Sequence, residues 1–70
     1  MIKNIHFKGL DDKDTEWVMK RCGLEENTFN SIQRIEGATS IILANTSYSN
    51  IGYNLLQNKD GTYDLNYTLN

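Results

Sequence analysis

Hydrophobic residues recur with two different periods along the first third of the chain. The β-branched and aromatic residues over 2–8 predict a strand that ends at Gly9. A helix is predicted over 12–22, because an aspartate can cap its start and Gly23 can supply the left-handed conformation that often ends a helix. Its buried stripe is spaced three and four residues apart, with Trp17 beside it, and consists of Thr15, Val18, Met19 and Cys22.

The remaining residues predict four further strands. Two short β-branched runs, 32–36 and 39–45, are separated by Gly37 and predict a pair of strands joined by a tight turn. Another strand is expected over 51–56, and residues 58–61 predict a hairpin because Gly61 can adopt a positive φ. Residues 62–69 then alternate strictly, with one face made of Tyr63, Leu65, Tyr67 and Leu69.

These elements predict an α+β domain in the order β-α-β-β-β-β. The expected architecture is a single antiparallel β-sheet of about four to five strands with one α-helix packed on one face. No linker-like segment or internal repeat divides the chain, so a single small domain is expected to span residues 1–70. The strand over 63–69 is predicted at an edge of the sheet. Asp64 is the only residue of this strand that would discourage pairing with another chain, so a homodimer is predicted as well.

Composition excludes several kinds of site. The chain has 70 residues with one cysteine and one histidine, so a disulfide framework is excluded, and neither a metal nor another cofactor is expected. The net charge of −2 disfavours the counterion release typical of nucleic-acid clamps. The longest apolar run, 41–44, is far shorter than a membrane span, and lysines interrupt residues 1–8, where a signal peptide needs an apolar run. A cytoplasmic protein without membrane contact is therefore expected.

Charge is distributed unevenly along the chain. Residues 1–36 carry 13 of the 16 charged side chains, whereas residues 37–70 hold all four tyrosines and many asparagines, serines and threonines. Protein interfaces are depleted in lysine and glutamate and enriched in aromatic residues, so the second half is predicted to contact a partner protein. The expected contact residues are Tyr48, Tyr53, Asn54, Tyr63, Asn66 and Tyr67, with Trp17 either in the core or at the interface.

The four tyrosines also suggest base stacking, the usual way of holding single-stranded nucleic acid. Stacking platforms lie in basic grooves, and the predicted strands that carry the tyrosines contain neither lysine nor arginine. Direct nucleic-acid binding is therefore disfavoured.

Three features resemble catalytic or metal-binding chemistry, and each has a structural explanation. His6 lies in the first predicted strand without a serine or cysteine motif beside it and is interpreted as structural. Cys22 falls on the predicted buried stripe, where cysteine behaves as a small hydrophobe. Helix capping explains the acidic cluster, which lacks the glycine and terminal glutamate of a calcium loop and consists of Asp11, Asp12, Asp14 and Glu16. The prediction is that the chain is not an enzyme; an enzyme that uses His6 and an acidic residue is the third-ranked alternative.

Two segments of the second half carry a resemblance to a known family. Asn50-Ile51-Gly52-Tyr53, followed by Asn58-Lys59-Asp60-Gly61-Thr62-Tyr63-Asp64-Leu65, is similar to the C-terminal hairpin of a ycf-type family of small proteins of unknown function from plastids, cyanobacteria and phages. The strand over 2–5 and the short helix after it are compatible with the start of that family. The resemblance implies a β-α-β sheet and supplies no catalytic residues.

Size and composition also resemble those of phage accessory proteins, many of which block a host enzyme or defence complex by binding it. The leading hypothesis is a small phage or mobile-element protein that acts by stoichiometric protein binding and inhibits a host or anti-phage defence protein. The alternative is a small-ligand or nucleotide-binding module, with its pocket between the helix and the sheet or at the seam of a dimer.

Overall fold

Five elements of regular secondary structure follow one another along the chain. The computed structural model describes residues Met1–Asn70. Its elements are β1 (Ile2–Lys8), α1 (Asp12–Cys22), α2 (Ile32–Asn45), β2 (Ile51–Gln57) and β3 (Tyr63–Leu69). Neither helix combines the length and the apolar composition that crossing a bilayer requires.

Helix α1 begins and ends where the sequence predicts. The Asp11 side chain accepts a hydrogen bond from the Asp14 N–H at 2.8 Å, which satisfies a free donor of the first turn. Gly23 closes the other end in a left-handed conformation with a φ of 67°. Val18 and Cys22 are buried on the inner face, and burial raises the pKa of the Cys22 thiol. The prediction that Cys22 lies buried is therefore confirmed.

Helix α2 replaces the two strands predicted over 32–36 and 39–45, so that prediction is wrong. The buried residues of α2 are spaced as one face of a helix requires, and they are Ile35, Ala38 and Ile42. The Ser31 hydroxyl accepts a hydrogen bond from the Arg34 N–H at 3.1 Å and caps the start of the helix. The β-branched residues favour a strand locally, but burial of the helical stripe against the sheet stabilises the helix instead.

The sheet has three strands in the order β1-β3-β2. This arrangement corrects the predicted antiparallel sheet of four to five strands with one helix, because the sheet is mixed and two helices accompany it. Strand β3 pairs parallel with β1 and antiparallel with β2. It is therefore the central strand, and the prediction that it forms an edge is wrong. A parallel pair needs a long crossover connection. The chain between β1 and β3 provides this connection, since it contains both helices and β2.

One face of the sheet carries the core. Across β1, β3 and β2, this face presents two rows in register, made of Ile5, Leu65 and Leu55 and of Phe7, Tyr67 and Tyr53. The central residue of each row is fully buried and belongs to one cluster of 11 buried residues, to which both helices contribute. The helices therefore cover a single face, and the opposite face is left without a helix.

Tyr67 lies at the centre of the core. Its side chain is fully buried, and its ring stacks on Phe7 with 4.9 Å between centroids and 5° between planes. The Tyr67 hydroxyl donates a hydrogen bond to the Ile35 carbonyl oxygen at 2.7 Å, which joins β3 to α2. Burial also raises the pKa of Tyr67 well above its usual value.

Candidate functional site

The face of the sheet that the helices leave uncovered, called the open face, is polar. By the strand register it consists of Asn4, His6 and Lys8 on β1, Asp64, Asn66 and Thr68 on β3, and Gly52, Asn54 and Leu56 on β2. No phenylalanine, tyrosine or tryptophan lies on it. The open face therefore lacks the aromatic side chains on which bases stack in single-strand binding proteins.

Three of the four tyrosines predicted as contact residues donate a hydrogen bond to a distant part of the chain. Tyr67 is fully buried. Tyr48 is half-buried, and its hydroxyl donates a hydrogen bond to the Gly9 carbonyl at 2.6 Å. The half-buried Tyr53 donates to Glu36 Oε1 at 3.1 Å, and partial burial, together with this carboxylate, raises the pKa of Tyr53. These tyrosines join parts of the chain to one another.

The other predicted contact residues lie in two separate places. Asn54 and Asn66 face each other across β2 and β3 on the open face. Tyr63 is partly exposed at the start of β3, on the side of the sheet that carries the core. The structure thus brings together Asn54 and Asn66 but does not gather the six residues into one surface.

Asp64 organises a hydrogen-bond network on the open face beside the hairpin. Its Oδ1 accepts from Asn58 Nδ2 at 3.0 Å and from Asn4 Nδ2 at 3.2 Å. These hydrogen bonds, above all the one from Asn58, hold the pKa of Asp64 below its ordinary value. In the hairpin, the Thr62 hydroxyl donates to Asp60 Oδ1 at 2.6 Å and lowers the pKa of Asp60 in the same way. The network ties β1 and the hairpin to β3, which is a structural role.

The groups weighed as catalytic or metal-binding lie apart from one another. His6 is exposed on the open face, whereas Cys22 is buried beneath the opposite face, so the two cannot form a pair. Asp11 is occupied as the cap of α1. No three histidine, cysteine, aspartate or glutamate side chains come together in an arrangement that could hold a metal ion.

A groove of about 520 Å³ runs between α1 and the residues at the end of α2. It is lined by Lys13, Asp14, Trp17, Asn45, Thr46, Ser47 and Tyr48. Trp17 is 41% exposed on this groove and is not a core residue. The size falls within the range of small-molecule sites, roughly 300–1,000 Å³, although most lining residues are polar. The groove lies between α1 and the end of α2, whereas the ligand pocket is predicted between the helix and the sheet or at the seam of a dimer.

Four exposed hydrophobic residues lie at the end of the sheet where β1 and β3 begin. This set of residues, called the apolar end, consists of Met1, Phe29, Ile32 and Tyr63. Backbone hydrogen bonds hold its segments together: the Tyr63 N–H donates to the Met1 carbonyl at 2.9 Å, and Ile2 and Thr28 exchange bonds at 2.9 and 3.3 Å. The first residue of α2, Ile32, follows Phe29 by three positions.

Phe29 is the most exposed member of the apolar end, with 83% of its surface accessible. The loop that carries it is closed by the Asn30 side chain, whose amide donates to the Glu25 carbonyl at 2.9 Å. Asn27 adopts a φ of 59°, and Thr28 is bridged to β1. The ring therefore projects from a loop that is fixed on both sides.

The sequence pattern does not reveal the apolar end. Phe29 stands alone in the polar stretch 25–31, and Ile32 falls at the start of the segment 32–36, which the sequence predicts as a strand. Its members lie in four segments that only the tertiary structure brings to one end of the sheet. An isolated phenylalanine in a polar loop is the one local signal that points to the apolar end.

Comparison with protein-family models, with curated proteins and with solved structures finds no match for this chain.

Proposed function

We propose that this chain is a protein-binding module that acts by stoichiometric association, with the apolar end as its contact surface. The carrying observation is that four of the seven exposed large hydrophobic residues lie at this end. Exposed apolar clusters on small soluble domains mark interaction sites. Methionine and aromatic residues are enriched in the cores of protein interfaces, and the apolar end contains one methionine and two aromatic residues.

Phe29 is the proposed anchor of this contact. A loop that is held before binding loses little backbone entropy when its side chain inserts into a pocket, and hydrogen bonds fix the Phe29 loop at Asn30 and Thr28. Polar exposed residues, among them Glu25 and Gln33, flank the apolar end and correspond to the polar rim of an interface. The matching partner is a protein with an apolar pocket surrounded by hydrogen-bonding groups.

Inhibition of a host or anti-phage defence protein is the proposed outcome of binding. Its support is the size and composition of the chain, which resemble those of phage and mobile-element products that bind such targets. The cytoplasm of the host cell is the proposed place of action. The inhibitory role and the binding surface are separate proposals, since an adaptor would use the same surface.

Phe29→Ala is expected to reduce recovery of a partner protein at least tenfold in affinity purification from bacterial lysate. Truncation of an anchor residue costs about 2 kcal/mol or more of binding free energy, and the exposed Phe29 ring contributes little to folding. Quantitative mass spectrometry measures the partner-to-bait ratio. Trp17→Ala, which removes an exposed aromatic residue elsewhere, is the matched control and should keep the partner. Equal recovery with wild type and Phe29→Ala would refute the proposed surface.

The groove beside Trp17 supports a second candidate function, the binding of a small ligand such as a nucleotide. An exposed tryptophan can stack on a base, and Lys13 in the same groove can pair with a phosphate. Because Trp17 is the only tryptophan, its fluorescence reports directly on this groove. If a nucleotide binds in the groove, titration with ATP or a cyclic nucleotide should quench the Trp17 fluorescence to a saturating level. Lys13→Ala should weaken this binding. A flat titration up to millimolar nucleotide would exclude this candidate for those ligands.

A further inference from the structure

The two edges of the sheet differ in how they are protected. On the outer side of β1, Ile2 and Thr28 exchange backbone hydrogen bonds, and Glu26 Oε2 accepts from the Ile5 N–H at 2.9 Å. A register irregularity between Ile2 and Asn4 interrupts the edge further. Covering segments, charged side chains and bulges are the devices that keep edge strands from pairing with another chain. Strand β1 has all three.

Strand β2 forms the opposite edge and has none of these devices. It contains no charged residue and no proline, and it pairs with β3 without a bulge over its whole length. The mutual hydrogen bonds between Asn50 and Asn70 set the phase of the ladder, so the even-numbered residues of β2 bond to β3. The backbone groups that point away from the sheet therefore belong to Ile51, Tyr53, Leu55 and Gln57.

We infer that β2 pairs antiparallel with β2 of a second copy of this chain and extends the sheet to six strands. An antiparallel two-fold pair has one register in which all seven residues of β2 overlap, and it places Asn54 opposite Asn54 of the partner subunit. In this register the outward-facing residues pair with one another: Tyr53 with the partner's Leu55, and Ile51 with the partner's Gln57. Every free backbone group along the edge then gains a hydrogen bond.

The side chains of β2 are complementary to themselves in this register. On the open face, Gly52 lies opposite Leu56 of the partner subunit; Leu56 is 59% exposed, and the space beside Gly52 is empty. On the covered face, the half-buried Tyr53 meets the partner's Leu55, an aromatic and an aliphatic side chain that both gain burial. Strand β2 carries no charged residue, so the two paired strands place no like charges opposite one another. A second copy therefore fits this edge along its full length.

This inference does not depend on the proposed function. The β2 edge runs along the side of the sheet, whereas the apolar end lies where β1 and β3 begin, so one surface can fail while the other holds. A domain of 70 residues buries a smaller share of its surface than a larger domain does, about 60%, and association adds burial that the monomer lacks.

The test uses the position that pairs with itself. In sedimentation equilibrium at 1–300 µM, the wild-type chain is expected to reach twice the 8.0 kDa monomer mass. Asn54→Lys and Asn54→Asp each place two like charges opposite one another and should weaken the dimer roughly tenfold or more. An equimolar mixture of the two variants should restore it, because each lysine then faces an aspartate.

Asn66→Lys is the matched control, since it introduces the same charge on the same face but on the central strand, away from the edge. It should remain dimeric, and circular dichroism confirms that each variant is folded. A wild-type chain that stays monomeric at 300 µM overturns the inference. Asn54 variants that dimerise as well as wild type, or a mixture that fails to recover the dimer, would overturn the register and with it the proposed pairing.

Discussion

Tyr67→Ala is expected to lower the Tm by about 15 °C or more and to leave a large unfolded population at 25 °C. Removing a buried aromatic ring costs about 3–5 kcal/mol, and a chain of 70 residues has a total stability of only roughly 4–10 kcal/mol. Tyr67 is fully buried, stacks on Phe7 and approaches Tyr53 at 5.9 Å. Alanine removes the central ring of these three and the hydrogen bond that joins β3 to α2.

Thermal and urea unfolding, followed by circular dichroism, measure the effect. Tyr63→Ala is the matched control, because it makes the same change four residues earlier on the same face of β3, where the residue is 36% exposed. It should lower the free energy of unfolding by about 1 kcal/mol or less. Tyr67→Phe keeps the ring and removes only the hydroxyl that donates to Ile35, so its loss should fall between the other two. If Tyr67→Ala were no less stable than Tyr63→Ala, the core would not be organised around Tyr67.

Local chemistry explains why one helix could be predicted from the sequence and the other could not. Both ends of α1 carry a residue type that is favoured there, an aspartate at the start and Gly23 at the end, and Asp11 and Gly23 cap the helix. Helix α2 has only Ser31 as a clear cap, and its many β-branched residues together with Gly37 imitate two strands and a turn. The spacing of Ile35, Ala38 and Ile42 is present in the sequence, but tertiary burial makes it decisive.

Strand order and the candidate site depend on contacts between distant parts of the chain. The alternation over 62–69 predicts one buried face of β3, and Leu65, Tyr67 and Leu69 are indeed buried. Alternation shows which face is buried, however, and does not show how many neighbours a strand has. The pairing of β3 with β1 joins residues about sixty positions apart. The same contact brings Met1 and Tyr63 together at the apolar end, so neither the strand order nor this approach has a local signal.

Gly9→Ala is expected to destabilise the fold by about 3 kcal/mol or more and to lower the Tm by about 10 °C or more. Gly9 has a φ of 98°, which residues with a side chain rarely adopt. A Cβ at this position would lie 2.6 Å from the Leu69 carbonyl oxygen, a backbone atom of the central strand. Rotation of the loop would relieve this clash with Leu69, but it would also move the Gly9 carbonyl, which accepts the 2.6 Å hydrogen bond from the Tyr48 hydroxyl.

Gly37→Ala makes the same substitution and is expected to have the opposite effect. Gly37 lies inside α2 with an ordinary helical conformation, and nothing lies within 4 Å of a Cβ built there. Alanine stabilises a helix interior by about 1 kcal/mol relative to glycine, which corresponds to a rise in Tm of about 4–8 °C for a domain of this size. Differential scanning calorimetry of both variants against wild type measures the two shifts. A stabilising Gly9→Ala would show that the β1–α1 turn can move away from Leu69, and a destabilising Gly37→Ala would show that residues 32–45 do not form a continuous helix.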